Sequence, residues 1–201
     1  MPVTVDHDVR RREVAEAVWR VLADTGFAGL SMRAVARELG ATTGLLTHYF
    51  GSKRELVQHA LEVVHERTAP RMAAAGEGVG GLEGLRLRLR AVLVEDEEAA
   101  VLSKVWVGFW DLALADAELG RSEAARYERW RERLRPLVDE AIDAGDLNGE
   151  LNGELEGGRE TIVDILTAFT HGLVVQALFD PDRFPVERQY AALDALLAAL
   201  S

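Results

Sequence analysis

Apolar residues recur at three- and four-residue spacing along almost the whole chain, a period that leaves little room for anything but helices. Val14, Ala17, Val18, Val21 and Leu22 form one such stripe, and Trp130, Leu134, Leu137, Val138 and Ile142 form another. Each set falls on one face of a helix with 3.6 residues per turn. Even Leu85–Arg90, where Leu and Arg alternate strictly, reads as helix. Leu82, Leu85, Leu89, Val92 and Leu93 carry the helical period through it, and no other segment offers a partner strand. The spacing predicts helices over 9–24, 31–38, 42–48, 52 to a kink or end at Pro70, 82–95, 99–117, 121–144 with a bend at Pro136, 159–179 and 186–200. The chain is therefore expected to be all-α, with about nine helices.

The punctuation agrees with these limits. Thr25-Gly26 closes the first helix, because Gly accepts the left-handed backbone on which helices commonly stop. Ser52-Lys53-Arg54-Glu55 has the spacing of a capping box, and the glycines at 76, 78, 80, 81 and 84 mark a loop. Glu95-Asp96-Glu97-Glu98 should open the next helix, where negative charge suits the dipole. Asn148-Gly149-Glu150-Leu151 is repeated at once as Asn152-Gly153-Glu154-Leu155, which reads as a tolerated loop insertion. No run of about 18 unbroken apolar residues is present, and the charged N-terminus lacks a signal-peptide core. A cytoplasmic protein with no membrane partner is expected. With no Cys in the chain, disulfides, Cys zinc sites and thiol nucleophiles drop out together.

A net charge of −11 looks wrong for a partner of DNA, but it is unevenly spread. Residues 1–60 hold eight Lys/Arg against seven Asp/Glu, a net of +1, so the remainder carries −12. The acidic part would keep the molecule soluble and repel DNA from the wrong face. The segment suited to DNA runs from Leu30 to Lys53. A helix-turn-helix needs a small residue where its helices cross, supplied by Ala36, and a turn residue able to reach positive φ, supplied by Gly40. Val35, Leu39, Ala41 and Leu46 are spaced to point inward. The second helix is short and carries small polar residues, as a reader of the major groove requires.

This segment resembles the DNA-binding region of the TetR family of repressors, and the likeness extends along the whole chain. Gly44, the pair Tyr49-Phe50 and Ser52-Lys53 fill the places where family members carry a Gly, an aromatic pair and a small residue with Lys. Thr47 departs from the Tyr usual at its position. The downstream part is similar to the BetI-type subgroup, which contains a choline-responsive regulator. The carriers are Lys104–Trp110, Ala144-Gly145-Asp146-Leu147 and Gly172–Leu178, with His171 where an Asp is expected. The resemblance implies a three-helix DNA-binding domain over 1–51 and a larger effector-binding and dimerisation domain over 52–201. It also implies a dimeric repressor on a palindromic operator, released by a small molecule and needing no cofactor.

Carried over by position, the resemblance turns Arg33, Thr43, Leu45, Thr47 and His48 towards base edges. Ser31, Thr42, Tyr49 and Lys53 become phosphate contacts. Ser31, Thr42 and Ser52 could equally serve only as helix caps. Trp106, Phe109, Trp110, Tyr127 and Trp130 gather aromatics on two neighbouring helices, which suits either plain core or a cavity for a planar or cationic effector. His171, on an otherwise apolar helix, either joins that candidate pocket or is a hydrogen-bonded core residue. Ile162, Ile165, Phe169, Leu173, Leu193 and Leu197, on the last two helices, are the expected dimer face of a four-helix bundle. No metal site is expected, since His59 and His65 fall on different helix faces. The alternatives are a helical protein-binding adaptor and an all-helical enzyme using the aromatic cavity. The second lacks a Gly-x-Ser-x-Gly elbow, a His-x-x-x-His pair, a phosphate-binding glycine motif and Cys.

Overall fold

The computed structural model describes residues 3–149 and 155–201, with side chains for 9, 11–149 and 158–201. Among these residues it is all-α. The helices are α1 (Val3–Gly29), α2 (Met32–Glu38), α3 (Thr43–Thr47), α4 (Lys53–Ala74), α5 (Gly81–Arg90), α6 (Glu97–Ala115), α7 (Ala117–Asp143), α8 (Leu155–Phe179) and α9 (Val186–Ala199). Most of the tandem repeat at 148–155 lies outside the described residues.

Several ends follow from local chemistry. Gly26 takes φ +62° and breaks α1, as expected, but a further turn runs on to Gly29. The Ser52 hydroxyl accepts from the Glu55 N–H at 3.2 Å, and the Glu55 carboxylate accepts from the Gly51 N–H at 2.9 Å. This is the expected capping box, shifted by one donor. Asp96 accepts from the Ala99 N–H at 2.7 Å and so caps α6 from within the acidic run. Leu85–Arg90 is helical, with Arg86 and Arg90 one turn apart and both bonded to Asp194. Pro70 does not end α4, which continues to Ala74. It lies on an exposed side, where water can take over the carbonyl its ring leaves unbonded.

The chain folds as two compact units. The first comprises Met1–Ala69 with Lys104–Leu112 of α6, and the second comprises the rest. The sequence expectation put the boundary at 51/52. By contact the first unit runs on through α4 as far as Ala69, a stretch in which Leu56, Val57, Ala60, Leu61, Val63 and Val64 are all buried. Within this unit the Phe27 and Phe109 rings meet at 5.3 Å, and Arg67 clasps Glu16 while lying over Trp19.

The second unit packs around Leu85, Leu89, Trp130, Leu134, Val138, Ile162, Leu166, Leu173, Leu193 and Leu197. Helices α7 and α8 run antiparallel, with Arg131 on Asp164 at 2.6 Å and Arg135 on Glu160 at 2.7 Å. By length and composition α8 could cross a bilayer. Here it buries Ile162, Val163, Leu166, Leu173, Val174 and Ala177 within its own unit.

Candidate nucleic-acid interface and effector site

The reading head is built from α2, a tight turn and α3. Ser31 caps α2, its hydroxyl accepting from the Ala34 N–H at 3.1 Å. After Leu39 the chain turns on Gly40 at φ +62°, a left-handed value at which an L side chain would be strained. Two bonds close the turn, from the Gly40 N–H to the Arg37 carbonyl and from the Ala41 N–H to the Ala36 carbonyl. That is the Schellman arrangement, and it satisfies carbonyls the helix end would otherwise leave open. Val35, Ala36, Leu46 and Phe50 are buried beneath.

Burying that apolar side leaves the other side open. Arg33, Thr42, Thr43, Thr47, His48 and Lys53 are exposed, while Ser31, Leu45 and Tyr49 are half-buried. Thr42 precedes α3 without making a side-chain cap, so its hydroxyl is not used as Ser31's is. Thr47 donates to the Gly44 carbonyl at 2.8 Å, which leaves its methyl and a lone pair outward. Two acids of this unit are paired with arginines, Glu38 with Arg20 at 2.5 Å and Glu16 with Arg67 at 2.6 Å, while Glu55 is held in the cap beside Lys53. The exposed face therefore carries Arg33 and Lys53 with little opposing charge from Glu38 and Glu16.

The six candidate pocket residues separate into two sets. Trp106, Phe109 and Trp110 belong to the first unit. Phe109 is fully buried on Phe27, and Trp106 meets the His65 ring edge-on at 5.0 Å. Tyr127, Trp130 and His171 belong to the second unit, where the Tyr127 and His171 rings lie 5.0 Å apart. The His171 Nδ1–H donates to the Thr167 carbonyl at 2.7 Å, and burial holds the imidazole pKa below its ordinary value. Burial likewise raises the Tyr127 phenol. Glu123, Arg126 and Thr167 escaped the sequence reading as site residues. Glu123 is buried and bonded at two points to Arg126. Thr167 is buried, and neither its hydroxyl nor the Trp130 indole nitrogen has a hydrogen-bond partner among the described residues. An expectation based on aromatics could not find them, since none of the three is aromatic.

The six residues expected at a dimer face divide. Ile162, Leu173, Leu193 and Leu197 are buried within the chain's own core. Ile165 and Phe169 are half-buried. The large aliphatic side chains of α8 and α9 fill the chain's own core, as the hydrophobic effect favours. What remains outside on α8 is a stripe of mostly small or apolar residues, Thr161, Ile165, Ala168, Gly172, Val175 and Phe179, spaced alternately four and three apart. Phe179 is 82% exposed. On α9 the exposed counterparts are Ala191, Ala195 and Ala198.

Comparison with known proteins agrees with this anatomy. Residues 14–60 match the family described as bacterial regulatory proteins, tetR family, and residues 82–201 match the BetI-type transcriptional repressor C-terminal family. The HTH-type transcriptional regulator PksA of Bacillus subtilis is 28% identical over 190 residues, covering 94% of this chain and 88% of its own. BetI of Burkholderia ambifaria is 28% identical over 142 residues, covering 67% and 70%. Among solved structures, a transcriptional regulator from Rhodococcus shares the fold with a TM-score of 0.79, at 24% identity over 94% of this chain and 95% of its own. A putative regulator from Saccharomonospora viridis, solved in complex with choline, has a TM-score of 0.80, at 19% identity over 94% and 96%. All of these are regulators of transcription, not enzymes. With its helix-turn-helix and its second helical unit, the chain belongs to the TetR family of transcriptional regulators and carries a BetI-type C-terminal region.

Proposed function

We propose that the protein is a homodimeric repressor that binds a palindromic operator and is released by a small-molecule effector. The observation that carries the reading is the open face of α2 and α3. Arg33, Thr43, Thr47 and His48 are exposed there over a buried layer of Val35, Ala36 and Leu46. In this reading Arg33 pairs with guanine, Thr43, Leu45, Thr47 and His48 meet base edges, and Ser31, Thr42, Tyr49 and Lys53 hold phosphates. Sequence selection from random DNA tests it, followed by Lys53→Ala and Tyr49→Ala on the selected site. Lys53→Ala should weaken binding on every sequence and lower the salt slope by about one. Unchanged affinity and slope in both variants would remove the DNA-binding assignment.

Dimerisation is assigned to the exposed stripes of α8 and α9. Small side chains at Ala168, Gly172 and Ala195 let helices from two copies approach closely, and Phe179 is an apolar group a partner would cover. Ala168→Glu should then give monomers by sedimentation, with operator binding lost because half-sites need paired heads. Effector release is supported by the choline complex of the Saccharomonospora protein, a chain of the same fold. Helices α4 and α6 each contribute to both compact units, and a ligand that favours one arrangement of them shifts the population away from the DNA-competent form.

A further inference from the structure

The seam between α7 and α8 distinguishes among kinds of effector. A quaternary ammonium is held by open aromatic faces and by carboxylate charge that is not already neutralised. Here both are taken by the protein's own arginine. Arg126 bonds Glu123 through Nη2 to Oε1 at 2.6 Å and through Nε to Oε2 at 2.9 Å. The same guanidinium lies 4.6 Å from the Tyr127 ring centroid, with that of Arg131 at 6.0 Å. A second cation at this ring would meet two positive charges and no unmatched carboxylate.

The groups left unmet have the opposite requirement. The Trp130 indole nitrogen, a donor only, and the Thr167 hydroxyl are both buried without a partner among the described residues. Trp130 is 7% exposed and Thr167 3%. Tyr127 faces His171 and Arg131 pairs with Asp164 across the antiparallel helices, and Trp130 and Thr167 each lie between those two contacts along their own helices. The contrast with Thr170 is direct, because its hydroxyl donates to the Leu166 carbonyl at 2.7 Å. Native interiors rarely leave such groups idle. The lining charges are also balanced locally: Glu123 by Arg126, and Asp164 by Arg131.

We propose that the effector is an uncharged carbonyl compound whose oxygen accepts from the Trp130 indole N–H and the Thr167 hydroxyl in the α7–α8 seam, and that quaternary amines do not act there. This rests on the reading of the protein as an effector-released repressor. It narrows the planar-or-cationic choice left by the aromatic residues to the planar, uncharged side.

The test uses the full chain labelled with nitrogen-15, whose four indole N–H resonances report on Trp19, Trp106, Trp110 and Trp130. Trp130→Phe identifies the resonance of interest by its loss. The protein is titrated with cyclohexanone, acetophenone and coumarin, with ethylbenzene as the carbonyl-free counterpart of acetophenone, and with choline. At least one carbonyl compound should move the Trp130 resonance downfield saturably, while ethylbenzene and choline leave it in place. Thr167→Val should weaken that compound by about fivefold to tenfold, with the melting temperature of the free protein not lowered. The proposal is overturned if choline moves the resonance saturably, if ethylbenzene matches acetophenone, or if no carbonyl compound acts up to its solubility. The last result is the one a fixed bridging water would give. Operator release is followed in parallel. Release by choline with the Trp130 resonance unmoved overturns this proposal and keeps the switching reading. A carbonyl compound that moves the resonance but leaves DNA bound keeps the site and removes the switching.

Discussion

The reading head and the α7–α8 seam are both helical surfaces carrying polar side chains, yet they treat water in opposite ways. Around α3, Thr43, Thr47 and His48 stand in solvent, and only the apolar side is buried. Apart from the Thr47 hydroxyl, which bonds back to Gly44, water satisfies such groups at no structural cost, so little in the fold depends on them. In the seam, Glu123, Trp130 and Thr167 have been taken out of water. There each polar atom either finds a partner, as Glu123 does in Arg126, or remains a standing cost of about 1–3 kcal/mol. A surface that discriminates long sequences can be remodelled freely, whereas a buried one ties selectivity to stability.

Substitutions can break that contrast, and the largest effect belongs to the seam. Trp130→Ala should lower stability by about 3–5 kcal/mol in chemical denaturation, because it removes a buried aromatic from the second unit's core. Arg33→Ala should do the reverse. It should weaken operator binding by about 1–3 kcal/mol and relax one base-pair preference, with stability changed by less than about 0.5 kcal/mol. A large loss of stability in Arg33→Ala would end the comparison. Ser31→Ala lies between the two, because its hydroxyl caps α2 as well as standing at the expected phosphate contact. Loss of about 1 kcal/mol in thermal unfolding is expected, with binding reduced beyond what unfolding explains.

The smallest effect concerns protons and sharpens the contrast from the buried side. Burial lowers the His171 pKa below its ordinary 6.5, so the folded protein resists a proton that the unfolded chain accepts. The unfolded state then binds more protons below about pH 6.5, and stability falls as the pH drops through that value. Above it the contribution is fully present. His171→Gln should flatten the change in melting temperature between pH 8 and pH 5.

The sequence made helices and their stops legible because these depend on local chemistry. Gly40, the Ser52–Glu55 box and the acidic opening of α6 each act within about one turn of themselves. Leu85–Arg90 could be read as helix despite its alternation, since the flanking leucines carried a longer period. Partner choice was less legible. Leu193 and Leu197 advertise an apolar face, but nothing in a stripe says whether the same chain or a second copy will cover it. The surface left outside, Ala168, Gly172 and Ala195, is nearly silent on any hydrophobicity scale. Aromatics were ambiguous in a similar way, since they suited either core or a cavity, and Phe109 lies beyond the expected DNA-binding domain in sequence and yet is core to the first unit. The unmet hydroxyl of Thr167 was invisible because being unpartnered is a property of neighbours.

The recruitment of Lys104–Leu112 into the first compact unit has a consequence for how such proteins can be recombined. A gene fragment ending after α4 would encode every residue proposed to read bases but would leave Phe27 without the Phe109 ring that covers it. The DNA-reading part is thus not a transferable cassette. Grafting it onto a different sensor must bring a stretch of α6 with it, or evolve an aromatic substitute in the new host.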